Sequence, residues 1–498
     1  MLNTLPPKPP SSIGSVENLP ASPPYITPSQ FAIVFPVNMD DMRAEVFFRK
    51  PEFAALVKTW GDKTLLEYYR QDFSPALTPS DDILNMIQSE VAGILGADVA
   101  TSARHAIMTQ GWVNTADHHG LLHHPYFYTT SLALSHKDVC GDALATVALP
   151  FGGVSLGNDS FPRGFSFHDS DVNLQKTFFK SLKYRRLPIY ALSPMTKEEL
   201  LHEKQRATSF SLTKQAHTRL QSFFNALIDD PRVWSQETYS AQLTVMNSIL
   251  WQQLFGSERG NLVYLEIDSV VRKLLLEKHL LKETDVCNLI FNPKWREKFV
   301  ELFAGIQGSH DSDSGTHLFW YIDKEALTRR RLTISGDNLV TPDGLTTIPL
   351  TQAAISEGLR SRTLMPSSAL TLIIVQEVEN LTCGGGPSQM DYLSSYTARW
   401  TQLLTYFDRT GSGDKPVIWC GDDTLFCIAD KTETSTELAT LVDILLYTEH
   451  TSSKIDAALS TTTIAAVVDA MIPSLYSIYT HKEAPKPTKY FVPKISIT

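Results

Sequence analysis

Five of the chain's 14 histidines fall between His105 and His124, and four of them crowd one turn, Asp117-His118-His119-Gly120-Leu121-Leu122-His123-His124-Pro125. Imidazoles at this density suit three kinds of chemistry. Neutral rings bind zinc and similar metals, with Asp117, His118, His119 and His123 as the candidate ligands. A histidine titrates near neutral pH, so His118, His119, His123 and His124 are candidate acid–base groups. A turn that feeds a helix also offers free N–H groups to an anion. His119 and His123 have the four-residue spacing of a helix face. Gly120 and Pro125 argue against a continuous helix there, and the HExxH pattern is absent.

A second loop, Cys383-Gly384-Gly385-Gly386-Pro387-Ser388-Gln389-Met390-Asp391-Tyr392, could bring backbone close to a ligand. Gly384, Gly385, Gly386, Gln389 and Tyr392 are its candidate substrate contacts. It lacks both the Lys-Ser/Thr of a P-loop and the GxGxxG spacing. Cys383 reads as a buried thiol in a tight turn. A third loop carries Asn158 and Arg163, the latter a candidate clamp for a carboxylate or phosphate. Asp422-Asp423 reads as a cap or turn that could also take a metal or an amine.

These loops must be positioned by the elements around them. Ile83, Leu84, Ile87, Val91 and Leu95 recur at helical spacing after Pro79-Ser80-Asp81, which predicts a helix over 81–95. Strands are predicted at 106–109, 143–149, 188–192, 317–322, 370–375 and 416–420. Helices are predicted at 125–135, 171–184, 198–228, 237–255 and 388–406. Short apolar strands alternating with helices argue for an α/β fold with a parallel sheet covered by helices. A polar turn between a strand and a helix is where such sheets place ligands.

The net charge of −10 argues against nucleic acid and anionic membranes as partners, since both require a basic face. Five dispersed cysteines without a CxxC pair argue against a zinc knuckle or a disulfide framework, and fit a cytoplasmic location. Residues 1–28 carry eight prolines and no signal-peptide core, and read as a disordered tail, with order beginning near residue 30. No apolar run reaches the ~18 residues needed to span a bilayer.

Taken in order, the pieces resemble the bacillithiol synthase family, the cysteine-adding ligases. Thr109-Gln110-Gly111, Gly120-Leu121-Leu122-His123-His124-Pro125-Tyr126-Phe127-Tyr128 and Ala133-Leu134 are similar to the family's Thr-Gly-Gln-Gln turn, its Gly-Leu-Phe-x-Gly-Pro and its helix ending in Ala-Leu. Leu364-Met365-Pro366 and Gly384-Gly385-Gly386-Pro387-Ser388-Gln389-Met390-Asp391-Tyr392 are similar to its Leu-Arg-Pro and Gly-Gly-Pro-x-Glu-x-x-Tyr segments. The aromatic-rich stretch 317–350 and the strand start Lys415-Pro416-Val417 complete a match over 106–420.

The resemblance implies a Rossmann-like core in two parts, 30–196 and 361–498, interrupted by a helical insertion (197–310) and a small β region (311–360). It also implies a nucleotide or sugar-derived ligand near the glycine loops. The family reaction joins the amine of a glucosamine-malate conjugate to the carboxyl of cysteine. This chain has Met365 and Gln389 where the family has arginine and glutamate, and histidines where the family has early glutamines. It therefore reads as a divergent ligase-like enzyme that forms an amide bond on a small amine or sugar-derived metabolite, with oligomerisation possible. Two other readings stand beside it: a metal-dependent hydrolase built on the 117–124 turn, with a divalent metal such as zinc, and a non-catalytic metabolite-binding member of the fold.

Overall fold

The computed structural model describes residues 38–497 apart from 72, 74–76, 159–162, 412, 414, 422–423, 434–435 and 486–489. The proposed tail, the start of order near residue 30 and Asp422-Asp423 therefore lie outside the described residues.

Four short strands form a parallel sheet: β1 (Trp112–Asn114), β2 (Ala145–Ala148), β3 (Asn261–Tyr264) and β4 (Thr382–Gly384). They lie side by side in the order β3-β2-β1-β4, and every pairing is parallel. Nearly every strand residue is buried, as expected where helices cover both faces of a sheet. Beyond β4, Gly385 N–H donates to Ile418 O (2.9 Å) and Cys420 N–H donates to Gly385 O (2.9 Å). Residues 418–420 thus run beside β4 through a single parallel bridge, Gly385 with Trp419, in place of the full strand predicted at 416–420.

The helix Asp81–Leu95 forms where predicted, capped by Ser80, whose side chain accepts from Ile83 N–H. It buries the five predicted apolar residues. Gly96 turns the chain into a second helix, Ala97–Gln110. The strand predicted at 106–109 is the last turn of that helix. Its buried residues, Ala100, Ala103, Ala106 and Ile107, fall at helical spacing, and small side chains let the helix pack closely on β2. Gly111, at φ +74°, ends the helix and starts β1 one residue later.

The strand predicted at 370–375 is helical instead. Ser367 caps a helix at Ser368–Leu372 that continues as a π-helical turn, Ile373–Val378, before the chain enters β4. That run is apolar because it is buried on all sides, and burial alone does not set the backbone. The helix predicted at 171–184 is a hairpin, with Phe165–His168 paired antiparallel to Leu174–Thr177. Asp169 closes its turn by accepting the N–H groups of Asp171 and Asn173.

Residues 188–192 form a 3-10 turn, Ile189–Ala191, in place of a strand. The helix predicted over 198–228 is two helices, Lys197–Ala207 and Lys214–Asp229. The span 197–310, expected as a mainly helical insertion, also supplies β3. The β region forms largely as expected: Phe319–Asp323 pairs with Thr328–Arg331 and Leu364–Pro366, beside a three-stranded meander over 333–349. No helix among the described residues is long and apolar enough to cross a membrane.

Candidate active site

The histidine turn extends the carboxyl end of β1. Phe151 N–H donates to Asp117 O (2.9 Å), and His119 N–H donates to Phe151 O (2.7 Å). The helix Tyr239–Phe255 grips the next residues. Asn247 donates its side-chain amide to Gly120 O (2.8 Å) and accepts from Leu122 N–H (2.7 Å). Arg163 is buried against the turn, paired with Asp117 at 3.2 Å and donating to His118 O at 2.8 Å. Its guanidinium also lies 5.5 Å from the centre of the Phe127 ring. Arg163 therefore fixes the shape of the turn, the work expected of a buried, bidentate-capable cation.

His118 and His119 do not line the neighbouring cleft. His119 Nε2 is 3.2 Å from Tyr264 O and 3.5 Å from Thr244 Oγ1, and His118 packs on Phe127. His123 and His124 line a cleft of about 770 Å³. His123 Nδ1 is 2.8 Å from Leu121 O, which favours a proton on that nitrogen. Burial, reinforced by the charge of Arg163, pushes His118 and His123 down to about 3 and His124 well below its usual range. Burial lowers His119 to about 4 against the opposing charge of Glu266. All four rings are neutral at pH 7. Among the described residues no three His, Cys, Asp or Glu side chains come together as a metal-ligand group. Asp117 is engaged by Arg163, and His123 Nδ1 by Leu121 O.

The glycine loop follows β4, the strand next to β1, so the two predicted loops do share one edge of the sheet. There, Thr115 N–H donates to Gly384 O (2.9 Å). The space between them is filled by protein. Gln389 accepts from Gly386 N–H (3.2 Å) and donates to Thr115 O (2.9 Å), which closes the start of the helix Pro387–Tyr406. A Cβ on Gly384 would overlap Cys420 Sγ, and one on Gly385 would overlap Gln389. Tyr392 lies beside Tyr396 (ring centres 5.5 Å apart), near Gly308 and away from the glycines. Asn158 sits in the turn after Ser155, to whose carbonyl its N–H donates (3.2 Å), and it does not line the cleft. Cys383 is buried, and burial pushes its thiol up to about 12, which leaves it inert as a nucleophile.

The cleft wall includes His168, which pairs with a buried aspartate that spacing did not reveal. His168 Nδ1 lies 2.7 Å from Asp443 Oδ2, and Asp443 Oδ1 accepts His168 N–H at 2.7 Å. Asp443 also accepts Thr440 N–H (2.7 Å), so three donors fix a fully buried carboxylate. Burial alone would lower the His168 pKa. The charge and hydrogen bond of Asp443 overcome it and raise the pKa above its ordinary value. With Nδ1–H given to Asp443, Nε2 is the ring nitrogen left for the cleft. Lys176, on the partner strand of the hairpin, lies on the same wall and makes no ion pair with a described residue.

A second buried group marks the end of β3. Asp268 accepts Gly152 N–H (2.6 Å), and Glu266 accepts from Ser269 Oγ (2.8 Å). Burial first, and then the neighbouring charge of Glu266, raise Asp268 to about 8. Glu266 Oε1 has no hydrogen-bond partner among the described residues. Neither carboxylate lines the cleft.

His168 and Asp443 are 275 residues apart in sequence, and nothing in either segment advertises the other. Two local signals did exist. Phe165-Ser166-Phe167-His168 alternates as a strand should, and Thr440-x-x-Asp443 before an apolar run is a capping box, which the structure forms. No family model and no curated protein matches the chain.

Proposed function

We propose that the protein is an enzyme whose active site is this cleft, with His168 as the group that moves a proton. The observation that carries the reading is His168 in the cleft wall, paired to the fully buried Asp443. A buried carboxylate on Nδ1 fixes the tautomer and orientation of an imidazole and leaves Nε2 basic. The charge and hydrogen bond of Asp443 raise the His168 pKa above its ordinary value, which makes the ring a better proton acceptor. His123 and His124, held neutral, supply hydrogen bonds in the same wall without adding charge.

Amide-bond formation, the chemistry implied by the resemblance to cysteine-adding ligases, suits this arrangement. An amine nitrogen attacks an acyl carbon, and neutral His168 accepts the proton the nitrogen gives up. The C–N bond forms, the bond from the acyl carbon to its leaving group breaks, and His168 passes its proton to that group. The strand order β3-β2-β1-β4, with 418–420 beside β4, supports a Rossmann-like reading of the core. Such cores bind ligands where the strand order reverses, between β1 and β4. Here Gln389 and Thr115 fill that place, so the ligand is displaced to the cleft beyond His123 and His124.

The test is to incubate the protein and its His168→Gln variant in a metabolite extract supplemented with ATP, and to follow small acids and amines by mass spectrometry. At least one metabolite is consumed by the wild type and, at a rate about 10²-fold lower or less, by the variant. Identical profiles for the two proteins would contradict the proposal.

A further inference from the structure

We infer that the cleft selects a small carboxylic acid with an extended apolar body, its head at Lys176 and its tail along the helix Ile464–Thr480. This rests on the reading of the cleft as the active site and adds the class of molecule that fills it. The two walls differ in chemistry and come from different elements. His124, Ser166, His168 and Lys176 belong to the turn and the hairpin. The opposite wall is one face of the helix, on which Ala470, Pro473, Ser474, Ser477 and Ile478 recur at intervals of three and four residues. Leu438 continues that face. The small side chains at 470, 474 and 477 keep a channel open, and Pro473 and Ile478 make it apolar. A ligand that is polar at one end and apolar along its length satisfies both walls.

The charges of the polar wall set the sign of the head group. Asp443 and His168 are paired with each other. Glu437, the acid that lines the cleft, has a partner of its own. His123 and His124 are neutral. Lys176 is exposed to the cleft and makes no ion pair with a described residue, so the charge left to answer is positive. An anion at Lys176 lies on the same hairpin as His168, which puts the acyl end of the ligand within the reach of the base. A fatty acid, an aryl-alkanoic acid and a keto acid with a long side chain share this chemistry.

Calorimetric titration of the full chain with butanoate, octanoate and octylamine tests the inference. Each buried methylene strengthens binding by up to about fourfold. Octanoate is therefore expected to bind at least tenfold more tightly than butanoate, and octylamine not to bind measurably. Lys176→Met, a change at an exposed position, weakens octanoate at least tenfold. Ser474→Trp fills the channel and abolishes octanoate binding while butanoate binding persists, which also shows that this variant is folded. Equal affinity for the two acids, binding of octylamine as tight as that of octanoate, no binding of either acid, or no effect of Lys176→Met would overturn the inference. His168→Gln separates the two proposals, because it leaves octanoate binding within about twofold while lowering turnover about 10²-fold or more. Octanoate binding as expected, with no difference between wild type and His168→Gln in the metabolite extract, would sink the catalytic reading and keep the ligand class.

Discussion

Asp443 has three donors to satisfy, and each would lose its acceptor if the carboxylate were removed. Asp443→Ala is expected to destabilise the protein by about 3 kcal/mol or more, since buried donors left without partners cost ~1–3 kcal/mol each. Asp443→Asn costs less and has a pH signature. His168 has a folded-state pKa above its unfolded value, so the pair's contribution is complete below pH ~6.5 and fades as pH rises through the folded pKa. Urea denaturation should therefore show a larger deficit for Asp443→Asn at pH 6 than at pH 9. Asp268 changes stability in the same direction, through burial of a carboxyl instead of an ion pair. Its folded pKa of about 8 means that the unfolded chain gives up this proton first, so stability is lost as pH rises from about 4 towards 8. Asp268→Asn removes that penalty while retaining an acceptor for Gly152 N–H. It is expected to stabilise the protein at pH 7, on the order of 1 kcal/mol, with no gain at pH 4. Equal denaturation midpoints at pH 7 would argue that Asp268 is ionised in the folded state.

Among the elements, those with a start signal and a periodic face were legible in the sequence. Ser80 and the five apolar residues after Asp81 specify the helix Asp81–Leu95, and the glycine loop marks the start of Pro387–Tyr406. Elements buried on all sides were not legible. Residues 370–375 and 106–109 carry strand-like composition on helical backbone, and β3 hides in a span dominated by helices. The glycine loop shows the same limit at closer range. Three glycines and a helix start describe a ligand cradle equally well as a tightly packed turn, and only the position of Gln389 decides between them. The packed turn predicts strain on enlargement. Gly385→Ala is expected to lower stability by about 1–3 kcal/mol through overlap with Gln389, and Gln389→Ala by about 1 kcal/mol through loss of the cap. Chemical denaturation measures both, and a neutral Gly385→Ala would mean that the loop has room for a ligand.

The molecule as a whole places its cleft where three distant segments meet: the turn after β1, the hairpin 165–177 and the C-terminal region from 437 to 490. The turn was legible from its histidine density, and the other two were not, because tertiary contact alone joins His168 to Asp443. The same fold buries His118, His119 and His123 as neutral rings with pKa values of about 3 to 4, which makes the protein acid-sensitive. Below pH ~6.5 the unfolded chain binds protons that the folded rings refuse, so stability falls with pH by ~1.4 kcal/mol per unit for each ring. His119→Gln should reduce that slope by about one ring's share between pH 6 and 4.5. His168 titrates in the other direction, and ¹⁵N-histidine NMR of the full chain reads it directly, with its signal assigned by its loss in His168→Gln. His168 is expected to carry its neutral-state proton on Nδ1 and to titrate above pH 6.5, moving to lower pH in Asp443→Asn. A proton on Nε2, or a titration below pH 6.5 in the wild type, would contradict it.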